Sequence, residues 1–375
     1  MVRNKGARFA SLAAVGVLAF GALAACGSDS DGGSDSTEGG SEATGKVGVI
    51  LPDATTSPRW EANDKPALQA AFDDAGIESI IDNAQGDTTK FGTICDNMLN
   101  QEVQVLMIVN LDSASGKACL DKATAAGVVS IDYDRLTLGG GASYYVSFDN
   151  VEVGRLQGQG LIDCLDAQDK AQANIVYING DPNDNNAALF KSGYEEALAD
   201  KIDGGDYTLV GDQSGFWDAT KAGTAFEQLY TKNDGKVDGV VSANDTMASG
   251  IVARLKANGL AGKVPVTGQD ASVEGLQNIL AGNQCMTVYK NVALEAQTAS
   301  DLAIALINGD QETADDMADQ TVTDTEAGTE VASALADPVS ITIENIQQVF
   351  DDGYQKVADV CTGDFKKDCE KAGVK

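Results

Sequence analysis

The 375 residues carry 26 Lys and Arg against 57 Asp and Glu, a formal charge of −31, with seven cysteines and no histidine. So acidic a surface repels phosphate backbones and argues against nucleic acid as a partner. The missing histidine removes Ser-His-Asp, Cys-His and His-ligated metal chemistry together; carboxylate-only hydrolysis survives as an enzymatic option, and no cofactor is expected.

The chain begins with Arg3, Lys5 and Arg8, followed by an apolar run of small residues ending in Leu23-Ala24-Ala25-Cys26. Residues 1–25 therefore read as a secretory leader, the run being shorter than the roughly 20 apolar residues a membrane crossing needs. Its end resembles a bacterial lipobox, which implies that Cys26 is lipidated and anchors the mature chain to the membrane, outside the cytoplasm. Loss of Arg3, Lys5 and Arg8 takes the charge from −31 to −34. Residues 27–45, "GSDSDGGSDSTEGGSEATG", contain no large apolar side chain. With residue 26 they form an anchor and a flexible acidic tether reaching on the order of 25 Å. The roughly 330 residues that follow suggest two domains.

From residue 46, short apolar runs alternate with longer amphipathic segments, the pattern of α/β folds with parallel sheets. The first half gives "KVGVILPD", "SIIDNAQGD", "VQVLMIVNLD" and "VVSIDYDR"; the second gives "NIVYINGD", "YTLVGDQ", "VDGVVSAND", "VPVTGQD" and "MTVYKN". Helical stretches such as "KPALQAAFDDAG" and "LFKSGYEEALAD" lie between them, several ending at Gly. Nearly every run ends in a polar residue, and ligands of open α/β sheets sit beyond the carboxyl ends of the strands. Any one of these Asp or Asn residues could instead cap the next helix. The two halves rhyme, which predicts two similar lobes facing a cleft.

The endings suit a sugar. Carboxylates and amides satisfy its hydroxyls, Arg and Lys donate charge-assisted bonds, and an indole covers its apolar face. The only two tryptophans, Trp60 and Trp217, fall one in each half, both expected in loops after strands. In "INGDPNDNNAALFK", Asp181, Asn183 and Asn185 match the first alternate ligands of a calcium loop. Asn186 stands where that loop needs Gly, however, and Ser192 where it needs Glu, so no metal site is expected. Apart from Cys26, the cysteines are Cys95, Cys119, Cys164, Cys285, Cys361 and Cys369, an even number that favours disulfides in an oxidising compartment. Fifteen connectivities are open to six cysteines; Cys361–Cys369 with Cys95–Cys119 and Cys164–Cys285 is one set.

"YDR" at 133–135, "YYVSFDNVEVGRLQGQGL", "DNNAALFKSG", "VGDQ" with the later Trp, "ANDTMASG", "GLAGKVPVTGQDA" and "CMTVYKN" together resemble the periplasmic D-xylose-binding protein family, among the type I sugar-binding proteins of ABC transporters. The resemblance runs from about residue 46 to near the C-terminus. It implies two Rossmann-like lobes with parallel sheets joined by a three-segment hinge, the N-terminal lobe comprising residues 46–148 and 289–335 and the C-terminal lobe residues 149–288 and 336–375. Carried over by motif, it implies sugar contacts from Arg59 and Trp60, Asp134 and Arg135, Asp184 and Asn186, Trp217, Asn244, Asp270 and Lys290. The loop "DATTSP" before Arg59 departs from the family's pattern, as does the acidic stretch "NGDQETADDMADQTVTDTEAGTE", which looks like a local elaboration.

The expected function is that of a lipid-anchored, monomeric, extracytoplasmic receptor. It binds a monosaccharide, D-xylose foremost, and hands it to an ABC permease and its ATPase. Because the divergent loop lines the ligand, glucose or another pyranose stays open. A sensor feeding a membrane signalling protein and a carboxylate-dependent glycosidase are the alternatives of other classes.

Overall fold

The computed structural model describes residues 45–55 and 57–375. The leader, Cys26 and all of the tether but Gly45 lie outside them.

Twelve strands are present among the described residues: β1 (Lys46–Leu51), β2 (Glu78–Asn83), β3 (Val105–Ile108), β4 (Val129–Tyr133), β5 (Tyr144–Phe148), β6 (Ala173–Asn179), β7 (Tyr207–Ser214), β8 (Gly239–Ser242), β9 (Thr287–Tyr289), β10 (Gln320–Asp324), β11 (Thr329–Ala336) and β12 (Val339–Ile341). The first sheet has the order β10-β11-β5-β4-β3-β1-β2 and is parallel except for its edge strand β10. Runs such as "VGVIL" in β1 are buried along their whole length because helices cover both faces of the sheet. The second sheet has the parallel order β7-β6-β8. The run "VPVTGQD" forms no continuous strand. It makes isolated bridges from Val266 to Val240 and from Gln269 to Val288, and so links β8 to the antiparallel pair β9 and β12.

The acidic stretch is part of the first sheet. It supplies helix Gln311–Met317, β10 and the start of β11, and the buried Asp324 carboxylate accepts from the Gly139 N–H at 2.8 and 2.9 Å and from two N–H groups of its own turn. Trp60 also differs from expectation. It is the first residue of a π-helical turn, Trp60–Asp64, that runs into helix Lys65–Asp74, so the helix starts earlier than the sequence pattern indicates.

The chain passes between the sheets three times. After β5 it enters helix Asn150–Asp166, which packs in the second core. After β9 it enters helix Val292–Ile307, whose buried face joins the first core, and after β11 it returns to β12. The structure pairs Cys95 with Cys119, Cys164 with Cys285 and Cys361 with Cys369, at Cα separations of 5.9, 6.5 and 5.9 Å, all within the usual range.

Helix Asn150–Asp166 and helix Asn185–Asp203 meet backbone to backbone. A Cβ on Gly154 would lie 1.9 Å from the Phe190 carbonyl oxygen, and one on Gly193 would lie 2.0 Å from that of Val151. This contact fixes the start of helix Asn185–Asp203, and with it Asp184 and Asn186. Gly154→Ala is expected to lower unfolding free energy by about 1–3 kcal/mol, the usual cost of overpacking. Urea titration measures it, and an unchanged midpoint would contradict the packing argument.

Candidate ligand-binding site

A cavity with about 340 Å³ of space between its lining atoms, part of it open to solvent, lies where the carboxyl ends of both sheets face each other. All ten residues expected from the sequence line it. Arg59 and Trp60 arrive after β1, Asp134 and Arg135 after β4, Asp184 and Asn186 after β6, Trp217 after β7, Asn244 after β8, Asp270 from the bridged segment, and Lys290 after β9. Ser57, from the loop "DATTSP" expected to face the ligand, lines it too, as do Phe190 and Gln269, which were missed. Phe190 stands four residues after Asn186 on the same helix, a spacing that places both on one face.

Local chemistry explains several placements. Asp184 caps its helix by accepting from the Asn186 N–H at 3.0 Å, and Asn244 caps the next by accepting from the Met247 N–H at 2.9 Å. Each residue therefore caps a helix and also faces the cavity. Asp181 accepts from Asn183 in a local turn, and no group of acidic residues able to hold a metal occurs among the described residues. Trp217 follows Phe216 with both backbones left-handed, at φ +57° and +55°. Its ring presses on Gly180, where a Cβ would sit 2.0 Å from the indole Cζ2. The glycine in "INGD" thus makes room for the ring.

The centre of the site is Asp134, itself left-handed at φ +62°. Its Oδ2 accepts from Arg59 at 2.8 Å and from Lys290 at 3.2 Å, and its Oδ1 from Asn186 at 3.2 Å. Its carbonyl accepts from Ser147, Asn186 and Tyr145 at 2.9, 2.9 and 3.0 Å. Burial alone would raise its carboxyl, but Lys290, Arg59 and Arg135 hold it well below the usual carboxylate range. Arg59 is gripped from behind. It donates to both oxygens of Asp64 at 2.7 and 2.9 Å and to Glu295 at 2.5 Å, while Tyr133 donates to Asp64 at 2.8 Å. No sequence signal marks Glu295, which is 236 positions from Arg59.

Arg135 Nε lies 2.9 Å from Asp184 Oδ2, an ion pair whose N–H is not aimed for a hydrogen bond, and its Nη1 donates to the Asn110 carbonyl at 3.1 Å. The Arg59 and Arg135 guanidinium carbons lie 4.4 and 5.6 Å from the Trp60 ring centroid, within cation–π reach. Both indole N–H groups are buried with no hydrogen-bond partner among the described residues. The arrangement offers two aromatic faces, three cations and several carboxylates and amides to one small ligand.

Residues 47–311 match the family profile of the periplasmic binding protein domain. The chain belongs to the type I sugar-binding family of periplasmic binding proteins. It is 33% identical over 317 residues to the D-xylose-binding periplasmic protein of Escherichia coli K12, across 84% of this chain and 92% of that protein. It is 32% identical over 332 residues to the multiple sugar-binding periplasmic receptor of Rhizobium radiobacter, across 83% and 91%. A carbohydrate transporter solute binding protein from Chloroflexus aurantiacus, solved in complex with D-glucose, superposes with a TM-score of 0.75 at 28% identity, across 84% of this chain and 98% of that one. These relatives are binding proteins and not enzymes, which supports a non-enzymatic role for this binding protein. No helix among the described residues is long and apolar enough to cross a membrane.

Burial sets the pH response. It pushes Glu295 up to about 8 against the opposing pull of Arg59, Asp132 up to about 7, and Asp245, with Asp270 beside it, up to about 7. Asp184 and Asp270 shift the same way. Each such carboxyl keeps its proton in the folded chain after the unfolded chain has lost it near pH 4, so stability falls as pH rises from about 4 to the folded value. Asp134 acts oppositely: its contribution is present above about pH 4 and is lost as pH falls toward its depressed folded value. The urea midpoint is therefore expected to fall between pH 5 and 8, and a midpoint that rises across that window would contradict the assignment.

Proposed function

We propose that the chain binds a monosaccharide, D-xylose foremost, in the cavity between its lobes and delivers it to an ABC permease. The observation that carries this is the convergence of Trp60 and Trp217, from opposite sides of the cleft, on a cavity whose remaining lining is mostly charged or amide. Sugar C–H faces would rest on the indoles and hydroxyls would pair with Asp134, Asn186, Asn244 and Asp270. Arg59, Arg135 and Lys290 act as donors. We place the N-terminal lobe at residues 46–148 and 289–335, and the C-terminal lobe at 149–288 and 336–375.

Ligand contacts to both lobes exist only when the cleft is closed, so differential affinity drives closure. Bonds across the cleft, such as Arg135 with Asp184 and Asn186 with Asp134, prepare that geometry. Lipidation of Cys26 would hold the protein, as a monomer, outside the cytoplasmic membrane beside its permease and ATPase. Two observations favour glucose as the second reading. Ser57, from the divergent loop, reaches the cavity wall, and structures similar to this one from Chloroflexus aurantiacus and Clostridium phytofermentans hold D-glucose.

Thermal unfolding with D-xylose, D-glucose, D-galactose and D-ribose, followed by calorimetry, tests the proposal. A ligand at 100 times its Kd stabilises by about 2.7 kcal/mol. D-xylose is expected to shift the transition, and a shift with glucose alone would move the specificity without moving the site. Trp217→Ala, and Arg135→Lys, which keeps the charge but loses the planar fork, are each expected to weaken binding about tenfold or more. Silence across the panel, or unchanged affinity in both variants, would overturn the proposal.

A further inference from the structure

We propose that the cleft holds an outer subsite for a second sugar ring, so that the protein accepts a disaccharide or glycoside as well as a monosaccharide. The inference rests on the sugar-binding reading above.

A second cavity lies directly beyond the first, with about 930 Å³ of space between its lining atoms, part of it open to solvent. The two share Ser57, Arg59 and Asp270. At their boundary a hydrogen bond runs from the Ser57 hydroxyl to Asp270 Oδ2 at 3.0 Å. Its two ends come from opposite sides of the cleft, so a slight opening separates them. A sugar hydroxyl beside a glycosidic linkage can donate to Asp270 in place of Ser57.

The outer walls are matched to hydroxyl donors. Four of their donors are turned onto the backbone: the Tyr354 hydroxyl to the Asp270 carbonyl at 3.1 Å, the Gln355 amide to that of Ala271 at 3.2 Å, the Gln277 amide to that of Val360 at 2.9 Å, and the Asn63 amide to that of Tyr354 at 3.4 Å. The amide oxygens of Asn63, Gln277 and Gln355 remain as acceptors without partners among the described residues, and the Glu274 carboxylate lines the same space. Such acceptors suit a ring carrying hydroxyls and repel a phosphate or carboxylate ligand. Pro58, Ala62 and Val273 supply apolar wall for its C–H face. The backbone at the boundary is left-handed at Asp270 and Ala271, φ +102° and +48°, which lets Asp270 present its carboxylate to the inner cavity while its carbonyl takes the Tyr354 hydroxyl.

The test is calorimetric titration of the full chain with D-xylose, D-glucose, xylobiose and cellobiose, in the wild type and in Thr246→Trp. Thr246 lines only the outer cavity of the two, and an indole there would occupy part of the space a second ring needs. At least one disaccharide is expected to bind the wild type within about tenfold of its monosaccharide, and Thr246→Trp to weaken that disaccharide about tenfold or more while leaving the monosaccharide unchanged. Monosaccharide binding with both disaccharides weaker by about a thousandfold in the wild type would overturn the outer subsite alone, whatever the variant does. Undiminished disaccharide binding by folded Thr246→Trp would overturn it too. Failure of all four sugars would overturn the sugar-binding reading and this inference with it.

Discussion

Asp134 is the point on which the cleft depends. A carboxylate removed from water costs several kcal/mol unless its charge and lone pairs are answered, and truncating one partner of a buried pair costs about 3–5 kcal/mol. Here Arg59 and Lys290 answer the charge, Asn186 reaches across from the facing lobe, and three donors converge on the carbonyl of the same residue. Arg59 in turn is held by Asp64 and Glu295, so a chain of charge-assisted bonds runs from the cavity into the first core. The polar groups that would meet a neutral ligand are thereby held in place before it arrives. Preorganisation of this kind lowers the ordering cost of binding.

Economy in the use of polar residues is the second theme. Asp184 and Asn244 each cap a helix and face the cavity, which places cavity-facing polar groups at helix N-termini with fixed orientation. Asp245, next in the chain, turns inward instead. It accepts from Gln284 at 2.7 Å and from the Ser272 N–H at 2.9 Å, and Cβ atoms on Gly268 and Gly275 would lie 2.0 and 2.2 Å from its oxygens. This close seating positions the left-handed turn that carries Asp270.

Much of this was legible in the sequence because it rests on local chemistry. Period and burial mark the strands, and the rule that ligands meet the carboxyl ends of parallel strands puts the polar endings in one place. The unread parts depend on contacts distant in sequence. Glu295 and Asp64 act through Arg59, and nothing near Glu295 signals it. "VPVTGQD" reads as a strand, yet Gly268 closes on Asp245 and leaves only isolated bridges. The acidic stretch reads as a local elaboration by composition, although Ala314, Ala318 and Asp324 are buried and β10 pairs with β11. Trp60 reads as a loop residue because a π-helical turn carries no compositional mark of its own.

The most direct test of the account is a crystal structure of the protein grown with D-xylose. The account predicts one pyranose between the Trp60 and Trp217 rings, with hydroxyls on Asp134 and Asn186 and the Arg59–Asp134–Lys290 cluster intact. A sugar bound elsewhere, or a cluster dispersed on binding, would contradict it.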